Sequence, residues 1–228
     1  TAGTTTTVAE NVTSSSNTDN NAAACLLPPG AFVLSNLSEE NMLITTTMLH
    51  TNFPKVVTTT NSGSSTSSET TIQAQLFIKN LKNCHIEVPS LLGSVRIEHT
   101  DNCTILLGAC CTSVYLDSVN NCTIQILSHQ LRIHECKDCK LYVQVQSHPI
   151  IEDCVSMGFA PYSYKYDSLA TDIQTAGLQG AHHWNTVVDF RWHKTTHSPH
   201  WYEIPTASPL QHDTTSSSSG SGGTDSSG

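Results

Sequence analysis

Asn83-Cys84-His85-Ile86-Glu87-Val88, Asn102-Cys103-Thr104-Ile105-Leu106-Leu107, Asn121-Cys122-Thr123-Ile124-Gln125-Ile126 and Asp138-Cys139-Lys140-Leu141-Tyr142-Val143 are four copies of one pattern: an Asn or Asp, a Cys, then alternating apolar residues. They begin 19, 19 and 17 residues apart. A second set keeps the same rhythm. Leu76, Val95, Val114, Leu131 and Ile150 recur at 19, 19, 17 and 19 residues, with Ile78, Ile97, Leu116 and Ile133 two places further on. A fixed period near 20 residues marks a solenoid, in which each copy is one coil stacked on the last. Alternation at period two means strands with one buried face, and branched aliphatics suit a pleated surface. A helix would want apolar residues where Asn and Cys fall.

Connections this short cannot hold crossover helices, so repeated parallel strands must wind as a parallel β-helix. The expected fold class is all-β. Each coil holds a Leu76-type strand, a corner at the Asn, a Cys-type strand and a short third side. Asn suits the corner because it tolerates left-handed backbone and bonds nearby main chain, and stacked Asn residues can bond one another in a ladder. The clear coils cover about residues 72–162, and the segment 163–205 is expected to hold a short helix near Ser168 to Ala176 followed by extended chain.

Composition sets limits. Only 13% of the 228 residues are charged, against about 25% in ordinary domains. Residues 1–24 (Thr, Ser and Asn) and the Ser/Gly-rich tail over 206–228 cannot bury a core and are expected to be disordered, flanking one domain over 25–205. Thr58 to Thr71 is a similar run and reads as a loop insertion. The net charge of −9 argues against nucleic acid and anionic membrane as partners. No stretch is long and apolar enough to span a bilayer.

The nine cysteines admit three readings: buried thiols, a disulfide framework, or metal ligands. Solenoid spacing favours small buried fillers, since free Cys is among the most buried residue types. Cys136 and Cys139 form one Cys-x-x-Cys pair without a matching second pair. Asn102-Cys103-Thr104 and Asn121-Cys122-Thr123 match the glycosylation acceptor pattern but fall inside expected corners. His182, His183, His193, His197 and His200 cluster late in the chain, yet no acidic or Cys ligand motif accompanies them, and they read as exposed polar residues. No phosphate-cradling loop, nucleophile elbow or paired-carboxylate site stands out, so no metal, no cofactor and no complete active site is expected.

One coil departs from the rest. Ile126 to Leu131 takes five residues, where Val88 to Val95 and Leu107 to Val114 each take seven. The shortened corner leads into Gln130-Leu131-Arg132-Ile133-His134, and with Leu131 and Ile133 inward, Gln130, Arg132 and His134 point out. One coil on, at an offset of 20 rather than 19, comes Glu152. It falls where an inward apolar residue would belong, so the ladder is expected to bend or end there, and a carboxylate beside Arg132 would orient the guanidinium.

Gln130-Leu131-Arg132-x-His134, Pro149-Ile150-Ile151-Glu152-Asp153-Cys154 and Phe159-Ala160-Pro161-Tyr162, followed by Trp184-Asn185, Val188-Asp189-Phe190 and Ser198-Pro199-His200-Trp201, resemble the tubulin-binding cofactor C family. Residues 34–44 resemble the segment that opens that family's domain. The resemblance implies a right-handed parallel β-helix that acts in trans as a GTPase-activating protein of the tubulin folding pathway, in the cytoplasm and associated with the cytoskeleton. It implies Arg132 as an arginine finger with Gln130 beside it, Glu152 setting the finger and facing the partner, and Phe159, Pro161, Tyr162 and His134 bordering the same surface. Tubulin and other tubulin-folding cofactors are the implied partners. Two alternatives are a GTPase-activating protein for an Arf-like small GTPase and a non-catalytic β-helix interaction module. One departure stands out: His129 occupies a place where close relatives often carry a second glutamine.

Overall fold

The computed structural model describes residues 31–51 and 74–205. The expected disorder of 1–24 and 206–228 and the expected insertion at Thr58 to Thr71 lie outside the described residues. Within them the chain is a parallel β-solenoid whose strands join in one 12-stranded sheet. In chain order the elements are β1 (Ala31–Ser35), β2 (Asn41–Leu43), α1 (Thr46–Thr51), β3 (Gln75–Lys79), β4 (His85–Val88), β5 (Ser94–Glu98), β6 (Thr104–Asp117), β7 (Thr123–His134), β8 (Lys140–Val145), β9 (Ile150–Glu152), β10 (Met157–Pro161), α2 (Leu169–Thr175), β11 (Val188–Asp189) and β12 (Trp201–Glu203).

Two walls follow from the pairing. The first stacks β1, β3, β5, the second half of β6, the second half of β7, β9 and β11. The second stacks β2, β4, the first halves of β6 and β7, then β8, β10 and β12. The inward ladders fill the space between. Leu76, Val95, Val114 and Leu131 line the first wall, and Ile86, Ile105, Ile124 and Leu141 the second, all 3% exposed or less. Each such side chain contributes about 1.5–3 kcal/mol on burial, so repetition along the stack supplies most of the driving force.

Two non-glycine residues per corner adopt left-handed backbone, with φ between 47 and 61°. One set is Asn83, Asn102, Asn121 and Asp138, as the repeat predicts; the other is Asn80, His99, Ser118, Glu135 and Asp153. The Asn ladder is present: Asn121 Nδ2 donates to Asn102 Oδ1 at 3.0 Å, and Asn102 donates in turn to Asn83. The cysteines just inside explain themselves by hydrogen bonding. Cys103 Sγ accepts from the Cys84 N–H at 3.3 Å and donates to the Asp101 carbonyl at 3.2 Å. Cys122 repeats both contacts one coil on. A thiol thus fills the corner and satisfies backbone groups that the interrupted ladder leaves over. Cys84, Cys103, Cys122 and Cys139 are free and buried, and burial pushes the Cys139 thiol up to about 11.

The shortened coil is absorbed in two steps. Against β6, the register of β7 slips between Leu106 and Ala109 and again between Cys110 and Ser113. Gly108 sits in the first slip, where an added Cβ would lie 2.4 Å from the Ser90 carbonyl oxygen. β7 therefore runs unbroken through the third side and carries its C-terminal half straight onto the first wall.

The stack extends past both ends of 72–162. β1 and β2 form a coil before it, and after α2 the chain returns to add β11 to the first wall and β12 to the second. One expectation needs correcting. β9 pairs with β7 as Arg132↔Ile150, Ile133↔Ile151 and His134↔Glu152. The ladder steps by 18 residues there rather than 19, so Ile151 (0% exposed) is the inward residue. A slip of one residue reverses every side chain along a strand, and Glu152 consequently faces out opposite His134, not beside Arg132.

Candidate functional site

Arg132 stands exposed on the outer face of β7 between buried Leu131 and Ile133. Strand alternation puts it there, and the inward pair fixes the backbone on which it stands. Its row neighbours are Tyr115 in β6 and Ile150 in β9, with Arg96 and Val188 one strand beyond on either side. Gln130 is exposed two places earlier, and His134 half-buried two places later. Beside Arg132 a groove of about 400 Å³ opens between Gln130, His148, Ile150, Val188 and Phe190. Val188 is 40% and Phe190 46% exposed, an unusual setting for two large apolar residues.

The chain has three arginines, and two of them are spoken for. Arg96 donates Nε–H to Glu98. Arg191 grips Asp153 through both Nε and a terminal nitrogen, at 2.9 and 2.7 Å, with Glu152 at 3.5 Å. The Arg132 guanidinium makes no hydrogen bond or ion pair with any described residue. The carboxylate expected to orient it belongs to Arg191 instead. His134 Nδ1 lies 3.1 Å from Asp117 Oδ1, and that hydrogen bond holds its pKa above the ordinary histidine value. Asp117, His134 and Glu135 bring ligating atoms close together, but the Asp117–His134 hydrogen bond already accounts for the first two.

The expected site residues divide cleanly. Gln130, Arg132, His134 and Glu152 share the outer face of the first wall. Phe159, Pro161 and Tyr162 do not join them, because β10 belongs to the second wall. Phe159 is fully buried and meets Trp201 edge-on at 6.0 Å, so its expected role at the partner surface is corrected to a core one. Its place was arithmetic: Ile86, Ile105, Ile124, Leu141 and Phe159 are successive rungs. Tyr162 is half-buried and donates its hydroxyl to the Leu107 carbonyl at 2.9 Å; Pro161 is exposed on that other wall.

His129 turns away from Gln130 and bonds the Ala176 carbonyl at the end of α2 at 2.6 Å, so this departure from the family pattern serves the third side of the solenoid. Among the late histidines, His200 is not merely exposed: Nδ1 meets Asp189 Oδ2 at 2.6 Å. Asp189 ends the inward ladder of the first wall. Burial pushes its pKa up, but hydrogen bonds from Ser198 Oγ, His200 and the Arg191 N–H prevail and hold it below the ordinary value. Sequence reasoning missed Val188, Phe190 and Arg191 as members of this surface. Their signal was the alternation Val188-Asp189-Phe190, one buried carboxylate between two outward apolar residues.

The class so defined is a parallel β-solenoid that presents on an open sheet wall an arginine whose guanidinium bonds no described residue. A family profile described as Tubulin binding cofactor C matches residues 73–190, just over half of the chain, and the chain belongs to that family. It is 32% identical over 131 residues to Tubulin-folding cofactor C of Arabidopsis thaliana, covering 57% of this chain and 32% of that protein. It is 34% identical over 140 residues to Tubulin-specific chaperone C of Bos taurus, covering 60% and 41%. Against Tubulin-specific chaperone C of Homo sapiens the identity is 39% over 82 residues, covering 35% and 24%. The match thus spans less than half the length of each of these relatives. No helix among the described residues is long and apolar enough to cross a membrane.

Proposed function

We propose that this chain stimulates GTP hydrolysis by tubulin held in a complex with other tubulin-folding cofactors, with Arg132 entering the nucleotide site as an arginine finger. The observation that carries the reading is that, of three arginines, Arg132 alone is exposed without a partner among the described residues. Family membership supports tubulin as the partner. Phosphoryl transfer needs positive charge where negative charge builds up between the leaving and transferred phosphates, and an arginine supplied in trans accelerates it by about 10³–10⁵-fold. Guanidinium is always ionised and planar, and it contacts two oxygens at once, which lysine cannot copy. A guanidinium already clamped by a carboxylate would have to give up that partner first; Arg132 has none among the described residues. Gln130 would meet the partner at the base of the finger, with His134 and Glu152 flanking it.

Single-turnover GTP hydrolysis by tubulin–cofactor mixtures tests this. Arg132→Ala should remove most of the stimulation, and Arg132→Lys should restore little of it. The melting temperature should stay close to that of the parent, because an exposed side chain whose charged end bonds no described residue contributes within about 0.5 kcal/mol to stability. Full activity of Arg132→Ala would reject the finger. Acceleration of a purified Arf-like GTPase, with none on tubulin, would reject the substrate.

A further inference from the structure

The outward row next to Arg132 contains an arrangement that hydrolysis chemistry alone does not require. Glu98 lies on the outer face of β5 yet is only 7% exposed. Arg96 covers it by donating Nε–H to Oε1, and Lys79 Nζ stands 3.9 Å from Oε2. Held by that carboxylate, the Arg96 guanidinium lies over the Tyr115 ring, 4.5 Å from its centroid. Such a contact adds about 0.5–1 kcal/mol at a partly exposed site and fixes the ring against movement toward β5. Tyr115 is the residue directly opposite Arg132 across the strand pair. Both side chains leave the same face, about 4.8 Å apart at the backbone.

On the other flank stands Ile150, stiff because it is β-branched. The stem of Arg132 therefore rises between an immobilised ring and a branched aliphatic chain, and neither offers a carboxylate. A finger must arrive within about 0.5 Å of its place, and a free arginine carries about 2 kcal/mol of rotamer entropy. With no ion pair from a described residue to restrain Arg132, its walls must do so. Turning back toward Tyr115 would also bring its charge toward that of Arg96. We infer that Tyr115, locked by the Glu98–Arg96 pair, is a positioning residue that aims Arg132 outward. The inference rests on the finger reading and extends it.

The test measures single-turnover hydrolysis by the tubulin–cofactor mixture as a function of the concentration of this chain. Tyr115→Phe keeps the ring and should stay within about twofold of the parent. Tyr115→Ser should lower the maximal rate about tenfold, the scale expected of sub-ångström misplacement, and leave the half-saturating concentration unchanged. Arg96→Met, which unlocks the ring without touching Tyr115 or Arg132, should lower the maximal rate by a smaller factor; this variant keeps the test decisive should Tyr115→Ser fail to fold. An unchanged maximal rate in Tyr115→Ser and Arg96→Met overturns the inference. So does a raised half-saturating concentration with an unchanged rate, which would make Tyr115 a partner contact. Equal damage from Tyr115→Phe and Tyr115→Ser would place the effect in the hydroxyl and also overturn it. Arg132→Ala separates the layers: if it is inactive while Tyr115→Ser is normal, only the positioning role falls; if it is fully active, both fall.

Discussion

The two walls of the solenoid share one interior and treat their outer faces in opposite ways. On the second wall, the chain after β10 folds back across the strands. Gln125 points out of β7 there but is only 8% exposed, because its Oε1 accepts from the Ser163 and Tyr164 N–H groups at 2.9 and 3.2 Å. Tyr166 Oη accepts from the Ala109 N–H at 2.9 Å, and the Tyr164 hydroxyl reaches Glu87 at 3.3 Å. On the first wall, seven residues further along the same strand, Arg132 stands bare. A sheet face that no described segment covers, while its neighbour is roofed by the chain's own segment, is where a second macromolecule can lie flat against the strands. The difference separates outward residues that hold the fold from outward residues that meet a partner, and mutation can test that division.

The largest effect should strike both walls together. Ile124 is 0% exposed in the shared interior, and Ile124→Asp would bury an unpaired carboxylate, at a cost of several kcal/mol. That is comparable to the whole stability of a domain of this size. Circular dichroism should show loss of the β signal and no cooperative melt; a soluble protein with a sharp transition would refute the inward ladder.

A smaller effect should distinguish the covered wall from the bare one. Gln125→Ala leaves two backbone N–H groups without their acceptor and should cost about 1–3 kcal/mol, read as a lower urea midpoint at constant slope. Gln130→Ala, five residues away on the bare wall, should stay within about 0.5 kcal/mol. Equal losses at the two positions would erase the distinction between the walls.

A more local effect is expected at the rim of the groove. Arg191 ties β11 to the corner at Asp153, and both partners are largely exposed. Arg191→Ala should leave the melting temperature nearly unchanged but speed amide exchange at Val188 and Phe190, whose N–H groups bond the Pro149 and Ile151 carbonyls at 2.8 and 3.0 Å. Exchange in β7 should not change. A rise in β7 exchange would mean that the pin supports the whole stack rather than its last strand.

How much of this was legible follows from what each residue type constrains. The Asn-Cys rungs were readable because period-two alternation and a fixed offset leave one architecture, and because Asn suits left-handed backbone. The second left-handed column was not readable. Asn80, His99, Ser118, Glu135 and Asp153 share a backbone shape imposed by the adjacent coils, not by their chemistry. Pro149-Ile150-Ile151-Glu152 defeated the register because two consecutive isoleucines fit the inward place equally well. The choice between them moved Glu152 from Arg132 to His134. Phe159 was misplaced although the rung spacing already pointed to the core. β11 and β12 are two and three residues long, so the only alternation that announces β11 is the single step Val188-Asp189-Phe190. The outward row was thus legible where it sat on the repeat, at Gln130, Arg132 and His134, and obscure where strands from outside the repeat extended it.

The smallest effect concerns the charge beside Arg132 on the bare wall. His134 faces Asp117 across one strand pair and Glu152 across the other, with Glu135 next in sequence and Asp153 near the same corner. The hydrogen bond to Asp117 comes first among the causes that raise its pKa; partial burial opposes it, and the charges of Asp117, Glu135 and Glu152 add to it. A folded-state pKa above the unfolded value means that the interaction is fully present below the ordinary histidine pKa and is lost as pH rises through the higher folded one. Since the ring is about a third exposed, solvent and salt should keep the change in stability slight. An NMR titration of the His134 ring should still show a midpoint above 6.5, and Asp117→Asn should bring it down. A midpoint at or below the ordinary value in the parent protein would mean that the carboxylates around His134 do not raise its pKa, and that the Asp117 hydrogen bond does not favour the charged ring on the bare wall.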